Sequence, residues 1–244
     1  MVLIKEFRQL IHESTEAIAG ILAQEKADGK DLLSPAVRQK KIQHELENNA
    51  ETLEKKMHEG LKACILSLDQ CHDLPMSVDE VLHELQKCIQ PIKSVEDFAQ
   101  LGQSVFLGTS WKSQLGISNA CMQTIYQGAR AIFKKKDYKQ AEKAFFAICS
   151  LDPTQFAYWI GLGHSSFQIK NYPQAINAYS MASAIDPENV WPHIWAANSF
   201  EEEKDFHHAK MALNAALSLQ MSKTPKNDEL IQSLEERVQK IQTR

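Results

Sequence analysis

A 34-residue period through the second half of the chain restricts its possible folds more than any other feature. Tyr138, Tyr172 and Phe206 fall on it, as do Ala141, Ala175 and Ala209. The same shift carries Asp152-Pro153 onto Asp186-Pro187, and Ala129 onto Gly163 and then Ala197. Aromatic, small and helix-breaking positions thus recur in one phase. A unit of this length holds a pair of helices and a turn. One such pair leaves an apolar face uncovered, so the units are stable only when stacked.

This pattern is that of the tetratricopeptide repeat. It predicts an all-α fold: a tetratricopeptide-repeat helical solenoid, residues 104–223, preceded by a helical N-terminal region, residues 1–103. The three units run over 122–155, 156–189 and 190–223. Small residues at 129, 163 and 197, and at 141, 175 and 209, let the helices of a pair approach closely, while the aromatic at 138, 172 or 206 plugs the corner. Proline cannot continue a helix, so Pro153 and Pro187 separate one unit from the next. Met221 stands where a third proline would, and the array is expected to end there. Leu230, Leu234, Val238 and Ile241 recur at helical spacing and predict a capping helix within 224–244.

With 244 residues, 43% of them hydrophobic, the chain has enough apolar side chain for a packed core. A formal net charge of -4 provides no broad basic face for phosphate, so no nucleic-acid partner is expected. No uninterrupted apolar run reaches membrane-spanning length, which argues against stable membrane insertion. The cysteines at 64, 71, 88, 121 and 149 are odd in number and lack framework spacing. They are expected to be reduced core thiols of a cytoplasmic protein.

Upstream of about residue 120 the repeat register is lost, but helical periodicity continues. Leu3, Phe7, Leu10, Ile11, Ile18, Ile21 and Leu22 share one face of a first helix, and Ser34-Pro35 forms a helix start. From Ile42 through Leu46, Ala50, Leu53, Met57, Leu61, Cys64 and Leu68 to Cys71, apolar residues recur every three or four positions, predicting one long helix closed by Pro75. Its stripe needs a partner, either the first helix in a hairpin or a second copy in a homodimer. Ser77-Val78-Asp79-Glu80 is a capping box for a helix through about Cys88, and Ser94 opens another toward Phe106.

Catalytic signatures are lacking. There is no G-x-x-x-x-G-K-[ST], G-x-S-x-G or H-E-x-x-H, so neither an enzyme nor a cofactor is expected. Cys64, Cys71, His72 and Cys88 are zinc-ligand types without the close C-x-x-C pair of common structural sites, and buried thiols are the better reading. His207-His208 and Lys134-Lys135-Lys136 fall in inter-helix turns, where solvated polar residues are ordinary.

Stacked helix pairs curve, with the first helix of each pair on the concave side. Repeat positions 2, 5, 9 and 12 then face the groove. They hold Gln123, Tyr126, Arg130 and Phe133, then Ala157, Ile160, His164 and Phe167, then Trp191, Ile194, Asn198 and Glu201. Peptide-binding candidates among them are Tyr126, Arg130, Phe133, Ile160, His164, Phe167, Trp191, Ile194 and Asn198. This largely apolar set suits an extended peptide whose alternate side chains enter pockets. The alternative is that Tyr126, Phe133 and Phe167 simply pack between helices. Repeat proteins that grip a C-terminal carboxylate carry Lys, Asn and Arg at set positions; here those hold Tyr126, Arg130, Gly161, Trp191 and Trp195, with one base among them. An apolar internal segment is therefore preferred over an acidic tail.

Several phrases go beyond the generic repeat: "LGIS" at 115–118, "IYQGARAIFKKKDYKQAEKAFFAICSLDP" at 125–153, "YWIGLGHSSFQ" at 158–168 and "WPHIWAANSF" at 191–200. In order and spacing they resemble the class II type III secretion chaperones, bacterial cytoplasmic proteins that guard translocators. The resemblance covers residues 104–220. It implies a noncatalytic, ATP-independent chaperone that holds an apolar segment of a secretion substrate, a translocator-like protein or effector, in its concave groove. It also implies dimerisation through helices preceding the repeats, but the N-terminal region here is much longer than the family's. The competing expectation is a tetratricopeptide scaffold or regulatory adaptor joining folded proteins.

Overall fold

The computed structural model describes residues 52, 55–89, 110–222 and 227–242. The predicted first helix, the Ser34-Pro35 start and the Ser94 helix lie outside the described residues. Within them, residues 55–66 are helical and lead through the 3-10 turn Leu68–Gln70 to α1 (Val78–Ile89) and the short α2 (Trp111–Leu115). Three antiparallel pairs follow: α3 (Asn119–Lys134) with α4 (Tyr138–Leu151), α5 (Phe156–Gln168) with α6 (Tyr172–Ile185), and α7 (Val190–Glu202) with α8 (Phe206–Ser222). The last described helix, α9 (Asp228–Gln242), packs on α8. Among the described residues no helix is long and apolar enough to cross a membrane.

Local chemistry sets the helix boundaries. Ser118 caps α3 by accepting from the Cys121 amide at 3.1 Å, and Asp137 caps α4 by accepting from Gln140 at 3.2 Å. The capping box at α1 closes in both directions: the Ser77 amide donates to Glu80 at 2.8 Å, and the Glu80 amide to the Ser77 hydroxyl at 3.3 Å. Within every pair the first helix ends at a lysine in the left-handed region, Lys136 (φ 63), Lys170 (φ 62) and Lys204 (φ 63). Each amide there bonds back three residues, to Phe133, Phe167 and Glu201. Glycine ordinarily fills such a position, because a Cβ costs roughly 1–2 kcal/mol in this conformation. The turns are thus uniform in geometry, though not built from the expected residue type.

Small residues mark close approaches. A Cβ on Gly163 would lie 2.4 Å from the Tyr179 ring, so glycine allows α6 to lay its tyrosine against α5. Ala129, Ala141, Ala175, Ala197 and Ala209 are fully buried along the same seams. One apolar cluster joins the N-terminal segment to the first two repeats, and another joins α7, α8 and α9.

The described part of the N-terminal stripe, from Lys56 on, packs on the first repeat. Cys64 is buried in the cluster of the first repeat, with Leu61 and Ala63 beside it, and Leu68 is buried in the 3-10 turn that packs on α3. Glycines on both sides permit the fit: a Cβ on Gly128 of α3 would stand 2.3 Å from the Cys64 carbonyl, and one on Gly60 would stand 2.0 Å from the Lys143 carbonyl. Lys56–Glu142 and Lys143–Glu59 ion pairs, each at 2.5 Å, flank the contact. The helix also stops well before Pro75. The Ser67 amide is shared between the Ala63 and Cys64 carbonyls, tightening the chain into the 3-10 turn that sends Leu68 into the core.

All five cysteines are unpaired. Burial pushes the Cys64 and Cys121 thiols up to about 12, and those of Cys88 and Cys149 also upward, so these four are protonated near neutral pH. Among the described residues no group of three or more His, Cys, Asp or Glu is arranged to hold a metal.

Candidate functional site

The first helices of the first two repeats bound a cleft of about 370 Å³. From α3 come Tyr126, Arg130, Phe133 and Lys134; from α5 come Phe156, Ala157, Ile160, Gly161 and His164. Phe145 of α4 forms part of the wall. Helical spacing explains the set, since residues three and four apart stack on one face of α3 and likewise of α5. Five of the nine sequence candidates, Tyr126, Arg130, Phe133, Ile160 and His164, converge here.

The aromatic wall is itself packed. Phe145 meets Tyr126 edge-on with ring centroids 6.3 Å apart and Phe133 at 6.4 Å, while Tyr126 leans on Tyr158 at 5.1 Å. Gly161 makes this arrangement possible, because a Cβ there would come within 2.2 Å of the Phe145 ring. The two readings of Tyr126 and Phe133 therefore merge: both rings are half-buried against neighbours and both line the opening. Phe145, Phe156 and Lys134 were not candidates. Phe145 belongs to a second helix, which a position rule for first helices does not include; Phe156 and Lys134 flank the register positions by one residue.

Polar groups are few. Arg130 lies 5.7 Å from the Tyr126 ring centroid and donates to Gln127 at 3.3 Å. His164 Nδ1 sits 2.9 Å from the Tyr179 hydroxyl, and its ring meets Trp195 edge-on at 4.6 Å. Burial lowers the pKa of His164 below its ordinary 6.5 and raises that of Tyr179, so both are neutral at pH 7.

The remaining candidates are dispersed. Phe167 lies outside the cleft, half-buried and edge-on to Tyr172 at 5.5 Å. Trp191 is 48% exposed and stacked on Trp195 at 6.0 Å. Ile194 does not face a groove: it is 7% exposed, inside the cluster that α9 completes. Asn198 is engaged by α9 as well, since Arg237 donates to it at 2.7 Å and to Glu201 at 2.5 Å. The register rule fails at Ile194 and Asn198 because the terminal helix covers positions that a rule for internal repeats leaves open.

Comparison with known proteins gives a consistent picture. Over 108 residues, 44% of this chain and 64% of the other, the chain is 27% identical to low calcium response locus protein H of Yersinia pestis. In a crystal structure of a T3SS complex from Aeromonas hydrophila, one chain shares the fold with a TM-score of 0.53 at 19% identity, covering 59% of this chain and 96% of that one. The chain is also 28% identical, over 92 residues, to tetratricopeptide repeat protein 37 of Xenopus laevis, which is 37% of this chain and 6% of that protein. The chain thus spans less than two thirds of either curated relative. It matches no protein-family model.

Proposed function

We propose that this protein is a noncatalytic cytoplasmic chaperone of a type III secretion system, holding an apolar extended segment of a translocator-like cargo in the cleft between its first two repeats. The observation that carries the reading is the cleft itself, an aromatic-walled opening between first helices of adjacent repeats. Its place and lining suit an unfolded chain better than a folded surface, because pockets take alternate side chains of an extended strand. The likeness to low calcium response locus protein H supports the same assignment. Seating one leucine-sized side chain contributes roughly 1.5–3 kcal/mol. Two or three anchors along the inner face yield a reversible complex once ordering costs are subtracted, as a chaperone that must release its cargo requires.

Co-expression tests the reading. The chain is expected to keep a co-expressed translocator soluble, and a Tyr126→Ala/Ile160→Ala variant of unchanged helicity is expected to lose that effect. Cargo that stays insoluble while folded partners bind would establish the scaffold or adaptor instead.

A further inference from the structure

The cleft's lining is charged as well as apolar, and the charge has one sign. Arg130 and Lys134 are its formally charged residues, and both are exposed. They lie four residues apart on α3, hence about 6 Å along the helix and on the same side. Among the described residues neither makes an ion pair, although Lys56, Lys112, Lys143 and Arg237 all do. Lys134 also occupies the last turn of α3, where the helix end already favours a cation. A whole-chain charge of -4 makes this local excess the more distinct.

We infer that the cleft selects an apolar anchor accompanied by a carboxylate: a cargo segment in which Asp or Glu stands within two residues of the side chain that enters between Phe133 and Ile160. This rests on the proposed peptide-binding role and adds the residue type read at the rim. The geometry agrees. In an extended strand, side chains two positions apart point the same way at a spacing of about 7 Å, comparable to the separation of the two bases along α3. Arg130 is held over the Tyr126 ring, so part of its ordering cost is met before binding. A carboxylate there replaces solvent around two like charges, which stabilises the complex. This differs from gripping a chain terminus: the carboxylate belongs to a side chain, and the recognised segment is internal.

The test uses the full chain and fluorescent synthetic peptides with leucines at alternate positions in an alanine–serine background. They differ only two positions from the central leucine, where one peptide carries Glu, another Gln and a third Lys in place of leucine. The Glu peptide is expected to bind about three- to ten-fold more tightly than the Gln peptide in low salt, with the advantage shrinking as salt rises. The double variant Arg130→Glu/Lys134→Glu is expected to reverse the order, so that the Lys peptide now binds best; this outcome cannot come from a general loss of structure. Circular dichroism checks folding, and Arg130→Glu or Lys134→Glu alone is expected to abolish the preference for Glu over Gln. Equal affinity for the Glu and Gln peptides would overturn the charge preference and leave the cleft reading intact. No binding of any peptide would overturn both.

Discussion

The first two repeats and the third repeat use the same register positions and arrive at opposite results. Positions 5 and 9 hold Tyr126 and Arg130, then Ile160 and His164, and all four line an open cleft. In the third repeat they hold Ile194, buried against the terminal cluster, and Asn198, hydrogen-bonded by Arg237 of α9. The difference teaches that the neighbouring helices decide whether an inner-face position becomes a site. An internal repeat is covered along its stacking edge by the next pair, which leaves the inner face open. The last repeat has no successor, so α9 supplies the cover and reaches further inward.

Breaking the cover should separate the two regions. Leu234, 1% exposed at the centre of the terminal cluster, is expected to cost about 2–5 kcal/mol on truncation to alanine. Because contacts in stacked repeats are between neighbours, amide-exchange protection should fall across α7 to α9 and persist in α3 to α5. Equal loss in both would show that the regions are not independent. A smaller effect is expected at the cleft. Gly161→Ala pushes a methyl against the Phe145 ring, which must shift, costing about 1–3 kcal/mol by thermal denaturation and weakening peptide affinity. If stability and affinity both survive, Phe145 is not held as described.

Arg237→Ala is milder still. The Arg237–Glu201 pair is about 30% exposed, so its loss should cost about 1 kcal/mol or less, and less in high salt. Peptide affinity at the first two repeats should be unchanged; a gain would mean that α9 limits the groove. The smallest effect concerns pH. Burial depresses the pKa of His164, so as pH falls through the ordinary 6.5 the unfolded chain takes up a proton first and stability declines. The decline ends below the folded-state pKa. His164→Gln should flatten that slope of unfolding free energy against pH between about 6.5 and the folded-state value. His193, shifted the same way by burial in α7, contributes a similar slope that remains in this variant and serves as the reference.

Much of this was legible in the chain. Six repeat helices, their breaks and the capping box at Ser77 follow from spacing, since each depends on residues a turn or a repeat apart. The left-handed lysines at 136, 170 and 204 were not legible as such, because lysine carries no preference for that conformation and the surrounding turn imposes it. Phe145 escaped notice for a related reason: its ring enters the cleft past Gly161, a residue on another helix. The N-terminal stripe announced that it needed a partner, and its described part meets the first repeat, through contacts as distant as Lys56 with Glu142.

Periodicity alone therefore assigned the repeat helices and the turns between them, and with them the solenoid, because those properties arise from side chains close together along the chain. Packing alone decided which faces remain open. Exposure depends on groups far apart in sequence, such as Arg237 closing over Asn198 across 39 positions, and no local pattern records where such a helix will settle.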